Sequence, residues 1–237
     1  MGPQFVTIEF VLTQNNPRRV MSTIVIGEEA RIPAWVTDHR SFRRWICSGK
    51  FPERGQFFHL GGELWVDLTG ETLSHNQIKL AIAMTLGLMI QQGQLGRYFG
   101  DGMMLTNLDV LLSTEPNGMF VATNTLRAGQ VVLEHGGQSL EVIGTPDMVL
   151  EVVSKTTVHK DTVVLPDLYF RAGIPEYWLV DSRSNHFRFD IFRPGRRKYV
   201  ATRKTDGGIK SEVFGKSFKL IRTVGADDTS DYRLETR

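Results

Sequence analysis

Pro146-Asp147-Met148-Val149-Leu150-Glu151-Val152-Val153-Ser154 is the stretch that most restricts the fold of this chain. A short apolar run bounded by Pro and Ser predicts a strand buried on both faces. A second such run, Tyr177-Trp178-Leu179-Val180-Asp181, follows after a segment of helical pattern. Strand, helix and strand of this length predict two neighbouring buried strands in one sheet. In a strand alternate side chains share a face, so Asp147 and Glu151 are expected on the same side, with Val149 between them. Two carboxylates among apolar neighbours are unfavourable unless a cation meets them, and a divalent metal is the partner this pattern suggests.

The rest of the chain supplies the frame. Pro33 is expected to open a helix over 34–47, with Gly49 as its stop. Phe57-Phe58-His59-Leu60, Gly61-Gly62 and Glu63-Leu64-Trp65-Val66-Asp67-Leu68 predict a β-hairpin with a two-residue turn. Ser74 can cap a helix from His75 to Gln92 that is apolar nearly all round and is therefore expected to be deeply buried. Short strands follow around Tyr98, Met104, Val110 and Phe120. A hairpin is expected over 129–143 with Gly136-Gly137 at its turn, and two strands are joined across Pro194-Gly195. Together these predict a mixed sheet flanked by helices, an α/β (α+β) architecture. The expected organisation is an N-terminal arm or edge strand (1–30), one domain (31–222) and a polar C-terminal tail (223–237).

Charge and cysteine usage narrow the setting. The net charge is only +2, but Arg183 to Lys210 holds nine Lys or Arg against Asp190 and Asp206. Arg193, Arg196, Arg197, Lys198, Arg203 and Lys204 form either a solvated hairpin face or a surface for a phosphate backbone. The single cysteine, Cys47, excludes an internal disulfide and fits a reducing compartment. No apolar run reaches the length of a membrane span, and the first residues lack a signal-peptide pattern, so a cytoplasmic location and no membrane partner are expected.

Acid, three residues, acid is a weak signal alone. Its apolar surroundings strengthen it, because carboxylates that hold Mg²⁺ or Mn²⁺ beside a Lys suit phosphodiester hydrolysis. Lys160 is the first such Lys and Lys155 the second. His75 reads as a base or ligand, or as a residue at a helix start; Glu63 reads as an extra acid, or as a hairpin-edge acid.

Residues 146–154, then Lys160-Asp161-Thr162, then Ala172-Gly173-Ile174-Pro175-Glu176-Tyr177-Trp178-Leu179-Val180-Asp181 resemble the signature of the Uma-two family of restriction-endonuclease-like proteins, within the PD-(D/E)XK nuclease superfamily. Gly62-Glu63-Leu64, Ser74-His75 and Glu115-Pro116-Asn117-Gly118-Met119-Phe120-Val121 match it upstream. The resemblance spans about residues 40–200. It implies a restriction-endonuclease-like core, a metal site of Asn117, Asp147 and Glu151, catalysis by Asp147, Glu151 and Lys160, DNA as substrate, and a homodimer as in many nucleases of this fold. Three departures stand out: Asn117 replaces an Asp, Val153 and Leu165 stand where relatives place Lys, and Pro166 falls in the helical segment. An endonuclease and a nuclease-fold protein that binds nucleic acid or a partner without cutting both remain open.

Overall fold

A computed structural model describes residues 23–26, 30–183, 187–225 and 229–237. Most of the expected N-terminal arm lies outside these residues; its described part is strand β1 (Thr23–Ile26), which pairs antiparallel with β2 (Ala30–Pro33). Helix α1 (His39–Ile46) starts later than Pro33 predicts. The Asp38 carboxylate accepts from the Ser41 N–H at 2.7 Å and forms a capping box, so the cap rather than the proline sets the start. Arg43 ties this helix to Glu141 at 2.8 Å, while Arg44 lies over the Trp35 ring.

The Gly-Gly hairpin forms as predicted, from β3 (Gln56–Leu60) and β4 (Glu63–Asp67). Gly61 and Gly62 have φ of +62° and +112°, which side chains with a Cβ rarely adopt. Then come α2 (Leu73–Gly93), β5 (Gly96–Gly100), β6 (Met104–Asn107), β7 (Leu112–Thr114), β8 (Gly118–Ala122), α3 (Thr123–Arg127), β9 (Val131–Val132), β10 (Glu141–Gly144) and β11 (Met148–Val153). A π-helical turn, Lys160–Val164, leads into α4 (Leu165–Arg171), followed by β12 (Glu176–Asp181), β13 (Arg188–Pro194) and β14 (Tyr199–Ala201). Last come β15 (Lys204–Thr205), β16 (Gly208–Ser211), β17 (Lys216–Val224) and β18 (Ser230–Thr236).

The central sheet has the order β14-β13-β12-β11-β8-β5 and is mixed, with β11 parallel to β12 and antiparallel to β8. Every residue of β11 is buried. Val149 and Val153 face one core, shared with α4 and a second six-stranded sheet (β4-β3-β7-β6-β10-β9). Met148, Leu150 and Val152 face another, built from α2 and the β15-β16-β17-β18 sheet. Helix α1 covers the outer face of the second sheet through Phe42 and Trp45. Burying each large apolar side chain contributes roughly 1.5–3 kcal/mol. That surplus lets the centre of the molecule hold the buried charges described below.

Three sequence expectations fail here. Thr72 rather than Ser74 caps α2, its hydroxyl accepting from the His75 N–H at 3.3 Å. Residues 230–236 are not a frayed tail: β18 pairs along its length with β17, from Phe218↔Thr236 to Val224↔Ser230, and Leu234 is buried. Alternation across Tyr232 and Leu234 supplies an apolar face that outweighs the polar composition. Helix α2 is not deeply buried all round. Ile78, Ile82, Leu86 and Ile90 are buried, whereas Leu80, Met84 and Leu88 are exposed. Composition carried the expectation, and composition does not say which face finds a partner. Gly87 lies mid-helix on the exposed side, where an added Cβ would meet nothing of the chain; a helix-interior Gly is about 1 kcal/mol less favourable than Ala. Among the described residues no helix is long and apolar enough to cross a membrane.

Candidate active site

Glu151 sits in the middle of β11 and is almost wholly buried, on the same face as Val149 and Val153. The Tyr169 hydroxyl, from α4, donates to its Oε1 at 2.6 Å. Its Oε2 faces Lys160 Nζ at 4.0 Å, which is ion-pair reach and beyond a hydrogen bond. The same ammonium lies 3.1 Å from Asp161 Oδ1 and 4.5 Å from the centre of the Phe58 ring. A buried ammonium unpaired would be several kcal/mol unfavourable, so these acids and the ring face account for its position.

The turn that delivers Lys160 follows from Pro166. Proline has no N–H to continue an α-helical ladder back to Thr162. The chain instead closes a wider turn, with the Leu165 N–H donating to the Lys160 carbonyl, and α4 begins with Pro166 in its first turn. The Asp161 carbonyl accepts from the Tyr177 hydroxyl of β12 at 2.6 Å, which fixes the turn against the sheet.

Around these groups is a cleft of about 180 Å³, lined by Asp67 from the end of β4, Glu71 and His75 from the start of α2, Glu115 ahead of β8, and Glu151, Lys160 and Asp161. Burial pushes the Glu151 carboxyl up to about 8, with Lys160 pulling it down and Asp161 pushing it up. Burial likewise pushes Glu115 up to about 7, reinforced by the Asp101 charge. Burial also raises Asp161, against the opposing pull of Lys160. Lys160 itself is held above its ordinary value: burial works to lower it, and Asp161 and Glu151 outweigh that. The cleft thus has more acids than cations close to them, and Glu115, Glu151 and Asp161 each favour gaining a proton or a cation.

Several residues named from the sequence are placed differently. Asp147 does not join Glu151. Its carboxylate accepts from the Ala122 N–H at 2.7 Å and the Thr125 hydroxyl at 2.9 Å, and it lines a separate hollow beside Pro146 and Pro175. Four residues of extended chain, about 13 Å, separate the two acids. Sharing a face was not enough to share a site. Asn117 reaches the cleft, but its Oδ1 accepts from the Val152 N–H at 2.7 Å and its Nδ2 donates to Asp101 at 3.4 Å. The β8–β11 ladder ends at Gly118↔Leu150, and this side chain extends it by one bond. A backbone donor on one atom and a carboxylate on the other fix the amide's orientation.

His75 is buried at the cleft wall and donates from Nε2 to the Val152 carbonyl at 2.7 Å, so it braces the strand that carries Glu151. Glu63 is exposed at the hairpin, where it accepts from the Trp65 indole at 3.0 Å, and Lys155 is exposed; neither lines the cleft. Arg193, Arg196, Arg197 and Lys198 are exposed along the β13–β14 edge, whereas Arg203, also exposed, lies past β14 and Lys204 is in β15, its ammonium paired with Asp190 at 2.9 Å. That edge stands three strands from β11, about 14 Å away. Lys198 borders another hollow, of about 420 Å³, between α4 and β12–β14, whose walls include Thr162, Val163, Phe170 and Phe192.

Sequence reasoning missed Asp67, Asp101 and Lys79 and did not place Asp161 in the site. Lys79 is buried and bridges Glu71 and Asp101, the latter at 2.7 Å. Only Asp161, adjacent to Lys160 in the matched stretch, carried a local signal.

A mixed sheet with a buried Glu at the centre of one strand, a buried Lys beside it and helices outside defines the restriction-endonuclease-like class of folds. The chain belongs to the Uma2 family, described as "Putative restriction endonuclease", whose model matches residues 41–220. Among solved structures it is similar to one titled "a putative nuclease belonging to DUF820", from Anabaena variabilis ATCC 29413. The TM-score is 0.51 at 16% identity, over 67% of this chain and 83% of that one, a likeness of fold. No curated protein matches the chain.

Nucleases of this class generally depend on a divalent metal. Among the described residues no three His, Cys, Asp or Glu are gathered closely enough to hold one by themselves. Magnesium does not require that: it keeps several waters and takes one or two carboxylates plus substrate phosphate oxygens. Glu115, whose carboxyl has no hydrogen-bond partner among the described residues, and Glu151 are hard oxygen donors of that kind.

Proposed function

We propose that this protein is a metal-dependent endonuclease acting on DNA phosphodiesters, with Glu151 and Lys160 at its centre. The observation that carries this reading is the buried Lys160 ammonium beside the buried Glu151 at the wall of an open, acid-lined cleft. The family's positions for Lys hold Val153 and Leu165, both buried and apolar, so a lysine from the π-turn reaches the Glu by another route. Glu151 and Glu115 would hold the cation, and Asn117 and Asp147 would not, because their oxygens serve the fold. When bound, such a cation lowers the pKa of water and polarises the phosphate. Lys160 offsets charge developing on the phosphate oxygens, and Tyr169 keeps Glu151 in one orientation. The β13–β14 basic edge would carry the phosphate backbone away from the cleft.

A second reading has its own observation. The Asn117 amide is spent on Val152 and Asp101 and brings no charge, which favours a nuclease fold that binds nucleic acid without cutting it. Plasmid DNA with Mg²⁺ or Mn²⁺ separates the two. The enzymatic reading expects cleavage by the natural chain and loss of cleavage in Glu151→Ala and Lys160→Met. No cleavage, or equal cleavage by Glu151→Ala, leaves the binding reading. Calorimetry on Asn117→Asp tests the placement of the cation: with the oxygen at 117 committed to the Val152 N–H, metal affinity should stay unchanged, and tighter binding would bring position 117 into the site.

A further inference from the structure

The outer face of α2 carries a pattern that neither the cleft nor the core uses. Leu73, Leu80, Met84 and Leu88 are each 57–65% exposed, and Leu95, just past the helix end, is 39% exposed. At about 100° per residue Leu73, Leu80, Met84 and Leu88 fall on one stripe centred on Met84, and Leu95 follows the left-handed Gln94 that ends the helix. Leu80 and Leu88 lie four residues to either side of Met84, and Leu73 and Leu95 lie eleven to either side. Within the helix, Leu80 and Leu88 are therefore symmetric about Met84, and each end of the stripe finishes on a leucine. From Leu73 to Leu95 the only side chains that can carry charge are His75 and Lys79, and both are turned inward and buried.

We infer that this face is the interface of a homodimer, in which α2 packs antiparallel on α2 of a second copy about a two-fold axis through Met84. A two-fold interface must be self-complementary, and a symmetric stripe satisfies that with itself: Leu80 meets Leu88 of the other copy, and Leu73 meets Leu95. The absence of charge selects an uncharged partner, which the same face provides. Covering the stripe on both copies removes on the order of 1,000 Å² from water, the lower bound for a specific interface. Gly87 borders the stripe, and its missing side chain, unexplained inside one chain, lets a second helix come close. The antiparallel arrangement also opposes the two helix dipoles favourably.

Sedimentation velocity on the full chain tests this. The natural protein should sediment as a dimer, and Met84→Lys, which sets two ammonium groups face to face at the axis, as a monomer with unchanged circular dichroism. In a Cys47→Ser background, Met84→Cys should cross-link to its own copy under mild oxidation. Leu73→Cys should not, because the two copies of residue 73 are about 33 Å apart. A natural protein that is monomeric, a Met84→Lys variant that stays dimeric, or equal cross-linking from positions 73 and 84 would overturn the proposal.

Discussion

Asp147 and Glu151 are two acids of one extended segment, four residues apart, with opposite fates. Asp147 is met by a backbone N–H and a hydroxyl, both fixed, and its charge is spent joining β8 and α3 to the start of β11. Glu151 receives one fixed donor, Tyr169, and an ammonium at 4.0 Å that does not complete a hydrogen bond. Pre-arranged donors stabilise a carboxylate and leave it nothing further to bind. A buried carboxylate that is under-served remains available for a cation or a proton. Under the proposed function, the contrast gives a structural part to Asp147 and leaves the chemistry to Glu151.

The sharpest way to break this contrast is activity per folded molecule. Glu151→Gln should lower DNA cleavage by on the order of 10³-fold, with the melting temperature little changed, whereas Asp147→Asn should keep cleavage once folding is corrected for. If Asp147→Asn loses cleavage while fully folded, the assignment of roles is reversed. Next in size, Asp147→Ala strands two donors and should cost about 2 kcal/mol in urea unfolding. Tyr169→Phe should cost about 1 kcal/mol in the same measurement and should raise the Glu151 pKa further, since the phenol favours its charged form.

The pH dependence of stability is a smaller effect with a definite sign. Between pH 4.5 and about 8 the folded Glu151 holds a proton that the unfolded chain has released. The folded state then binds more protons, so stability falls as pH rises through this window. Glu151→Gln should flatten the slope of melting temperature against pH, and Mg²⁺ at pH 8 should recover part of the loss. Smallest of all, Glu63→Gln and Lys155→Ala should each change stability by less than about 0.5 kcal/mol, with cleavage unaltered.

The parts legible in the sequence are those where local pattern and tertiary placement agree. The Gly61-Gly62 hairpin, the buried strands carrying Glu151 and Trp178, and the approach of Lys160 to Glu151 belong to that class. Periodicity gives the face on which a side chain leaves a strand but not what meets it there. The groups that bind Asp147 come from Ala122 and Thr125, on another element. Asp67 enters the cleft from a segment far from β11 in sequence, and nothing local marks it, whereas Glu115 stands in the matched stretch two residues before Asn117. Pro166 did signal a disruption, and the π-turn is the form it takes. For α2, an all-round apolar pattern does not say which face the core takes, and the fold leaves Leu80, Met84 and Leu88 exposed.

The π-turn also works as a partition. Lys160 and Asp161 look into the acid-lined cleft, while Thr162 and Val163 look into the hollow of about 420 Å³ behind it, walled by Phe170 and Phe192. A small molecule wedged in that rear chamber would press on the wall that aims the ammonium from outside the front cleft, beside Lys198 of the basic edge. A screen scored by displacement from the front cleft would pass over it.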